Sequence, residues 1–173
     1  MTIIENNAFE WDELRIGRLH AAYVDAVNRK AWSEFEDLFT PAAELTVAVS
    51  EGDPVGAKGP VAIGALIDEF LKPLDFLFQT VLNARIVPGP DGDPDTARAR
   101  LYIHEFRQVT TTGALRNSVG VYEDHYRRVD GRWLFERRSY TRLVLAENGG
   151  TTGSTVSVHE ATGFMELPAP GRW

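Results

Sequence analysis

From residue 76 to residue 146 the chain reads as four long alternating segments, 76–87, 96–110, 115–129 and 132–146, split by the turn runs "PGPDGDPD", "TTTG" and "VDGR". Period-two segments joined by short polar turns are the signature of an antiparallel meander. The Asp130-Gly131 pair is the strongest hairpin signal, because both residue types tolerate the positive φ of a tight two-residue turn. Much of the chain is thereby committed to one sheet, and the rest must cover a face of it.

The first part of the chain has helical spacing. From about Glu10 to Asn28, Leu19, Ala22, Tyr23, Ala26 and Val27 recur every three or four residues, an apolar stripe that turns Tyr23 and Ala26 to the core. Ser33 and Glu36 have capping-box spacing, so a second short helix is expected through Phe35, Leu38 and Phe39, ending before Pro41. The two helices form a bent pair hinged at Arg29-Lys30. "AELTVAVS" (43–50) reads as a strand, and a loop rich in Gly and Pro follows. Pro60 opens a third helix, "PVAIGALIDEFL", which Pro73 ends. The order predicts an α+β fold in which three N-terminal helices lie on one face of a curved antiparallel sheet and leave a pocket beneath them. Residues 1–148 make one domain. Residues 149–173, rich in Gly, Ser, Thr and Pro, make an extension that packs on it or on a neighbouring subunit.

Composition removes several classes of function. With 173 residues, 43% of them hydrophobic, one ordinary core is expected. A net charge of −7 argues against nucleic-acid or anionic-membrane partners, which need clustered cations. There is no cysteine, the four histidines lack metal-ligand spacing, and no Gly-rich loop joins a strand to a helix, so no metal, cofactor or nucleotide is expected. The acidic N-terminus is unlike a secretory signal, and no apolar run approaches about 18 residues, which points to a cytoplasmic protein. The expected partners are an apolar small molecule and a second copy, a homodimer that covers the convex sheet face.

Two segments carry a family resemblance: "AAYVDAVNRKAWSEFEDLFTPAAEL" (21–45) and "GVYEDHYRRVDGRWLFERR" (120–138). Over roughly residues 10–145 the chain resembles the nuclear transport factor 2-like superfamily, and within it the SnoaL-like polyketide cyclases and the scytalone dehydratase group. The resemblance implies a cone-shaped α+β barrel with a cavity between the first helix and the concave sheet face. In dehydratase-like members an aspartate near the end of the first helix works with a histidine on the strand after the third helix. Those positions hold Asn28 and Gln79 here, so both titrating groups are missing. Neither amide can take a proton from carbon, and both are assigned to substrate binding.

A catalyst must then come from elsewhere. His104 shares a strand face with Arg100, Tyr102 and Phe106, while Leu101 and Ile103 share the other. It falls near a second histidine of the scytalone dehydratase pattern and is the expected proton carrier; the alternative is a strand histidine on a solvated or interface face. Tyr23 is a recurrent pocket donor in related enzymes, and Arg138 matches a pocket-lining arginine in some of them. Tyr122, Asp124 and Tyr126 share one strand face, with Glu123, His125 and Arg127 on the other. Asp124 is the second-choice base; its plainer reading is a cross-strand ion pair with Arg137, Arg138 or Arg142, worth little if exposed. Trp32, Phe78, Tyr102 and Tyr122 complete the expected pocket wall. Gln79 alternates with Leu77, Val81 and Asn83, opposite the more apolar Phe76 and Phe78, so it reaches the cavity only if a bulge re-aims it. Asp25 is expected to face solvent, His20 to sit at the stripe's edge, and His159 to lie in the tail.

The expected function is a cofactor-independent lyase or isomerase of the dehydratase or cyclase type, acting on an apolar cyclic compound such as a polyketide, terpenoid, steroid or aromatic-derived molecule of secondary metabolism. The alternatives are a non-catalytic small-molecule-binding protein, motivated by Asn28 and Gln79, and a dimerisation domain whose cavity is filled with side chains.

Overall fold

The computed structural model describes residues 3–49, 53–148, 155–158 and 163–167. Helix α1 (Ile3–Arg29) is followed by a 3-10 turn (Trp32–Glu34), α2 (Phe35–Leu38), β1 (Phe39–Ala48), β2 (Val55–Lys58), α3 (Pro60–Leu71), β3 (Leu74–Pro88), β4 (Thr96–Val109), β5 (Leu115–Val129), β6 (Arg132–Asn148) and β7 (Thr155–Val158). Among the described residues, no helix is long and apolar enough to cross a membrane.

Helix α1 buries Ile16, Leu19, Tyr23, Ala26 and Val27, the expected stripe with one exchange: Ala22 is exposed. His20, expected at the edge, is 3% exposed and belongs to the buried side. The helix ends in a Schellman motif. The Ala31 N–H donates to Ala26 O at 2.8 Å and the Lys30 N–H to Val27 O at 3.1 Å, with Lys30 left-handed at φ 57°. That is the hinge. The capping box does not form, because neither the 3-10 turn nor α2 has a side-chain cap bond; Phe39 opens β1 instead of closing α2. Part of the expected loop before α3 is the short strand β2.

The sheet runs β2-β1-β6-β5-β4-β3, with β7 added against β6. Its pairs are antiparallel except β1 with β6, which is parallel, so the sheet is mixed rather than all antiparallel. With β2 and β3 as its two ends the sheet curls without closing. The β5–β6 hairpin turns at Asp130 (φ 50°) and Gly131 (φ 76°), as the Asp-Gly pair demands. The inner face is set by register: Ala97, Ala99, Leu101 and Ile103 of β4 stand opposite Tyr126, Asp124, Tyr122 and Gly120 of β5. Small residues on one strand make room for large ones on the next, and α1, α2 and α3 close the core with Tyr23, Phe35 and Ile63.

Of the C-terminal extension, β7 pairs with Val144–Glu147, and Met165 N–H donates to Glu123 at 2.7 Å while Arg100 stacks on Phe164. His159 lies outside the described residues.

Candidate functional site

A cavity of about 120 Å³ opens between the sheet and the helices, walled by Tyr23 and Val27 of α1, Ile67 and Phe70 of α3, Leu45 and Val47 of β1, and the inner faces of β3 to β6. The interior is therefore not filled by side chains, as the dimerisation reading required. Its polar lining is Glu105, Gln79, Tyr23, Tyr122, Tyr140, Arg107 and Arg142.

Glu105 is the centre of this set. It continues the Leu101-Ile103 face of β4, and pairing places Gln79 and Ser118 directly beside it on β3 and β5. Gln79 Nε2 donates to Oε1 at 3.1 Å, while Ser118 Oγ and the Tyr140 hydroxyl donate to Oε2 at 2.9 and 3.1 Å. The carboxylate has roughly four lone-pair positions, so one on Oε1 stays open. Burial pushes the Tyr23, Tyr122 and Tyr140 phenols up, and neighbouring Glu105 adds to the rise in each. All three stay protonated at neutral pH and can donate. The Tyr23–Tyr122 contact is 3.4 Å and Gln79 Nε2 lies 3.5 Å from the Tyr122 hydroxyl, long distances that leave these hydroxyls available to a bound oxygen.

His104 is not in the cavity. Strand alternation sends it to the outer face, where its Nε2 lies 3.1 Å from Asn117 Oδ1. Tyr102 shares that face and lines a separate depression with Arg100 and Leu167. The expected grouping of residues on β4 holds, but the cavity lies on the other side.

Asp124 and Arg138 face inward yet sit beneath the cavity, not in its wall. A register shift between His125 and Tyr126 lets both Phe135 and Arg138 of β6 point in. Arg138 Nε and one terminal nitrogen donate to the two Asp124 oxygens, each at 2.9 Å, and the Tyr126 hydroxyl donates to Oδ2 at 2.8 Å. The pair is 1% and 0% exposed, so the expectation of a weak surface pair is overturned. The guanidinium lies 4.0, 3.9 and 4.2 Å from the ring centres of Tyr23, Tyr122 and Phe135. Burial opposes the charge on Arg138, but Asp124, together with Tyr23 and Tyr122, more than offsets it and holds the guanidinium protonated. His20 Nε2 lies 2.6 Å from the Tyr126 hydroxyl, and burial with nearby Arg138 pushes its pKa down to about 3. It is neutral.

Asn28 has no free end. Its Nδ2 donates to Gln79 O at 2.9 Å and its Oδ1 accepts the Gln79 N–H at 2.8 Å, which ties α1 to β3. With Phe78 and Gln79 it lines a more open groove of about 510 Å³ between α1 and β3. Three polar residues of that groove are already engaged: Asn28 with Gln79, Asp25 with Arg29 at 2.7 Å, His20 with Tyr126. Gln79, only 2% exposed, reaches the inner cavity because the Leu77-Gln79 face is the inner one; Phe76 and Phe78 are 47% and 51% exposed. Trp32 donates to Asp68 at 3.0 Å and packs against Phe35, outside the cavity lining. Of the expected site residues, the cavity thus gathers Tyr23, Tyr122 and Gln79. Glu105, Tyr140, Arg107 and Arg142 were not foreseen in the wall, though the Leu101-Ile103-Glu105 alternation carried the signal for the first.

The sequence profile described as the SnoaL-like domain matches residues 10–139. No curated protein matches the chain. Among solved structures, a provisionally named scytalone dehydratase from Novosphingobium aromaticivorans is 19% identical, with a TM-score of 0.70 over 93% of this chain and 99% of that one. LinA is 20% identical, with a TM-score of 0.69 over 88% and 95%. An NTF2-like protein with a cystatin-like fold, also from Novosphingobium aromaticivorans, is 26% identical, with a TM-score of 0.60 over 75% and 80%. The likeness covers the fold, including the helices and sheet that form the cavity.

Proposed function

This chain belongs to the SnoaL-like domain family, and on that premise we propose that it is a cofactor-independent lyase or isomerase that moves a proton on a cyclic small molecule held in the inner cavity. Glu105 is the proton acceptor in this reading. Dehydration, isomerisation and cyclisation can each begin by removing a proton from carbon beside an electron-withdrawing group, and a positioned base contributes about 10²–10⁴ in rate. Tyr23 and Tyr122 would donate to the oxygen on which negative charge develops.

The observation that carries the proposal is the carboxylate itself: Glu105 stands in the cavity wall, its side chain 12% exposed, held by Gln79, Ser118 and Tyr140 with one acceptor position open. These three neutral donors fix the base without adding charge, and the Arg107 guanidinium stands off at 3.9 Å, beyond hydrogen-bond distance. An apolar cavity of roughly 150 Å³ holds a benzene ring, so a cavity of about 120 Å³ favours a single ring over a steroid or a fused polyketide.

The second reading, a binding protein without chemistry, is favoured by Asn28 and Gln79, which replace the relatives' titrating pair. Deuterium uptake separates the two. In D₂O, a panel of single-ring ketones and β-hydroxy ketones incubated with the protein is expected to gain deuterium beside the carbonyl, and Glu105→Gln abolishes the gain. Binding without exchange supports the second reading.

A further inference from the structure

Two guanidiniums, Arg107 and Arg142, line the cavity with a single carboxylate, Glu105, and only Arg107 is paired with it. Arg107 donates to Ser118 Oγ at 2.9 Å and lies 3.9 Å from Glu105, and its Nε is buried without a partner. Arg142 makes no hydrogen bond or ion pair among the described residues, and its Nε is also buried and unpartnered. The other cation nearby, Arg116, is already paired with Glu147. Burial disfavours the charge on Arg142 and the neighbouring Arg107 guanidinium adds to that, with Tyr140 and Glu105 only partly opposing them. Buried polar groups in folded proteins are almost always satisfied, and an unpaired half-buried cation is unfavourable until an anion joins it.

We propose that the ligand of this cavity carries a carboxylate, and that Arg142, assisted by Arg107, recognises it. The proposal rests on the cavity being the functional site and adds the chemical class of what it takes. A planar carboxylate matches the fork of a guanidinium, which presents paired N–H donors. The same cavity is also lined by Val47, Ile67, Phe70 and Leu71, apolar side chains available to a ring. A ring with one acidic arm therefore satisfies both parts of the wall: the ring contacts the aliphatic side chains, and the arm supplies the charge that Arg142 lacks.

Benzoate and its neutral analogue benzamide are suitable probes, titrated calorimetrically at neutral pH into wild-type protein, Arg142→Gln and Glu105→Gln. Wild type is expected to bind benzoate about tenfold or more tightly than benzamide, the scale of a charge-assisted contact. Arg142→Gln is expected to lose that preference while still binding benzamide, which also reports an intact cavity. Glu105→Gln is expected to bind benzoate several-fold more tightly, since it removes a repelling carboxylate. Equal binding of the two probes by wild type, or an unchanged preference in Arg142→Gln, would overturn the proposal. Should Arg142→Gln fail to fold, a benzoate affinity in Glu105→Gln no better than wild type overturns it equally. Discrimination without deuterium exchange would reject only the catalytic reading, and exchange without discrimination only the carboxylate.

Discussion

The Tyr140 hydroxyl donates to Glu105 at 3.1 Å from across the bare backbone of Gly120. A Cβ at position 120 would lie 2.3 Å from the Tyr140 ring, so only glycine lets the ring take this position. Gly120→Ala is expected to displace the ring and cost about 1–3 kcal/mol in urea unfolding. Tyr140→Phe removes the same bond, and a hydrogen bond to a charged group is worth about 1.5–3 kcal/mol. In a double-mutant cycle on turnover the two changes are expected to be strongly non-additive, because each removes one contact.

Beneath the cavity, Arg138 and Asp124 form a two-pronged pair at 2.9 Å with no solvent access. Asp124→Asn leaves a buried guanidinium without its counterion and is expected to destabilise the protein by about 3–5 kcal/mol in urea. Asp124→Leu combined with Arg138→Met is expected to recover most of that loss, since no charge is then stranded.

Asn28 couples α1 to β3 through both its amide ends, at 2.9 and 2.8 Å on the Gln79 backbone. Asn28→Asp keeps the acceptor but loses the donor, and it places a carboxylate against the Gln79 carbonyl. The expected cost is about 1–3 kcal/mol, measured by thermal unfolding. No gain of turnover is expected, because the side chain points to the α1–β3 tie and not to the inner cavity.

His20 makes stability depend on acid. Its pKa falls to about 3 in the folded protein, chiefly through burial, and lies near 6.5 when unfolded. Between these values the unfolded chain binds more protons, so stability falls as pH drops from about 6.5 toward 3. The loss from pH 7 to pH 5 is expected to be about 2 kcal/mol from this residue. His20→Gln should flatten that part of the pH–stability curve; an unchanged slope would show that other groups set it.

Much of the fold was legible from residue order alone. Alternation placed β4 and β5 and sorted their side chains into faces correctly: Tyr122 with Asp124 and Tyr126, His104 with Tyr102. What alternation does not encode is which face is concave. On β3 the more apolar face, with Phe76 and Phe78, turned out to be the outer one, while Leu77 and Gln79 line the cavity. Hydrophobicity misleads there because a cavity wall needs polar groups and an outer face can carry aromatics. The same ambiguity made His104 look like the proton carrier and hid its neighbour Glu105. The bulge that turns Arg138 inward depends on pairing between β5 and β6, which no single strand's pattern contains. The β1–β6 parallel pair is likewise a tertiary fact, set by how the helices return the chain to the sheet.

The most direct measurement compares Glu105→Gln with His104→Gln for turnover of one confirmed substrate. Glu105 lies in the cavity wall and its neighbour His104 on the opposite sheet face. The expected result is a fall in kcat of about 10²-fold or more for Glu105→Gln, with His104→Gln close to wild type. Full turnover in Glu105→Gln, or its loss in His104→Gln, would contradict the assignment of Glu105 as the base.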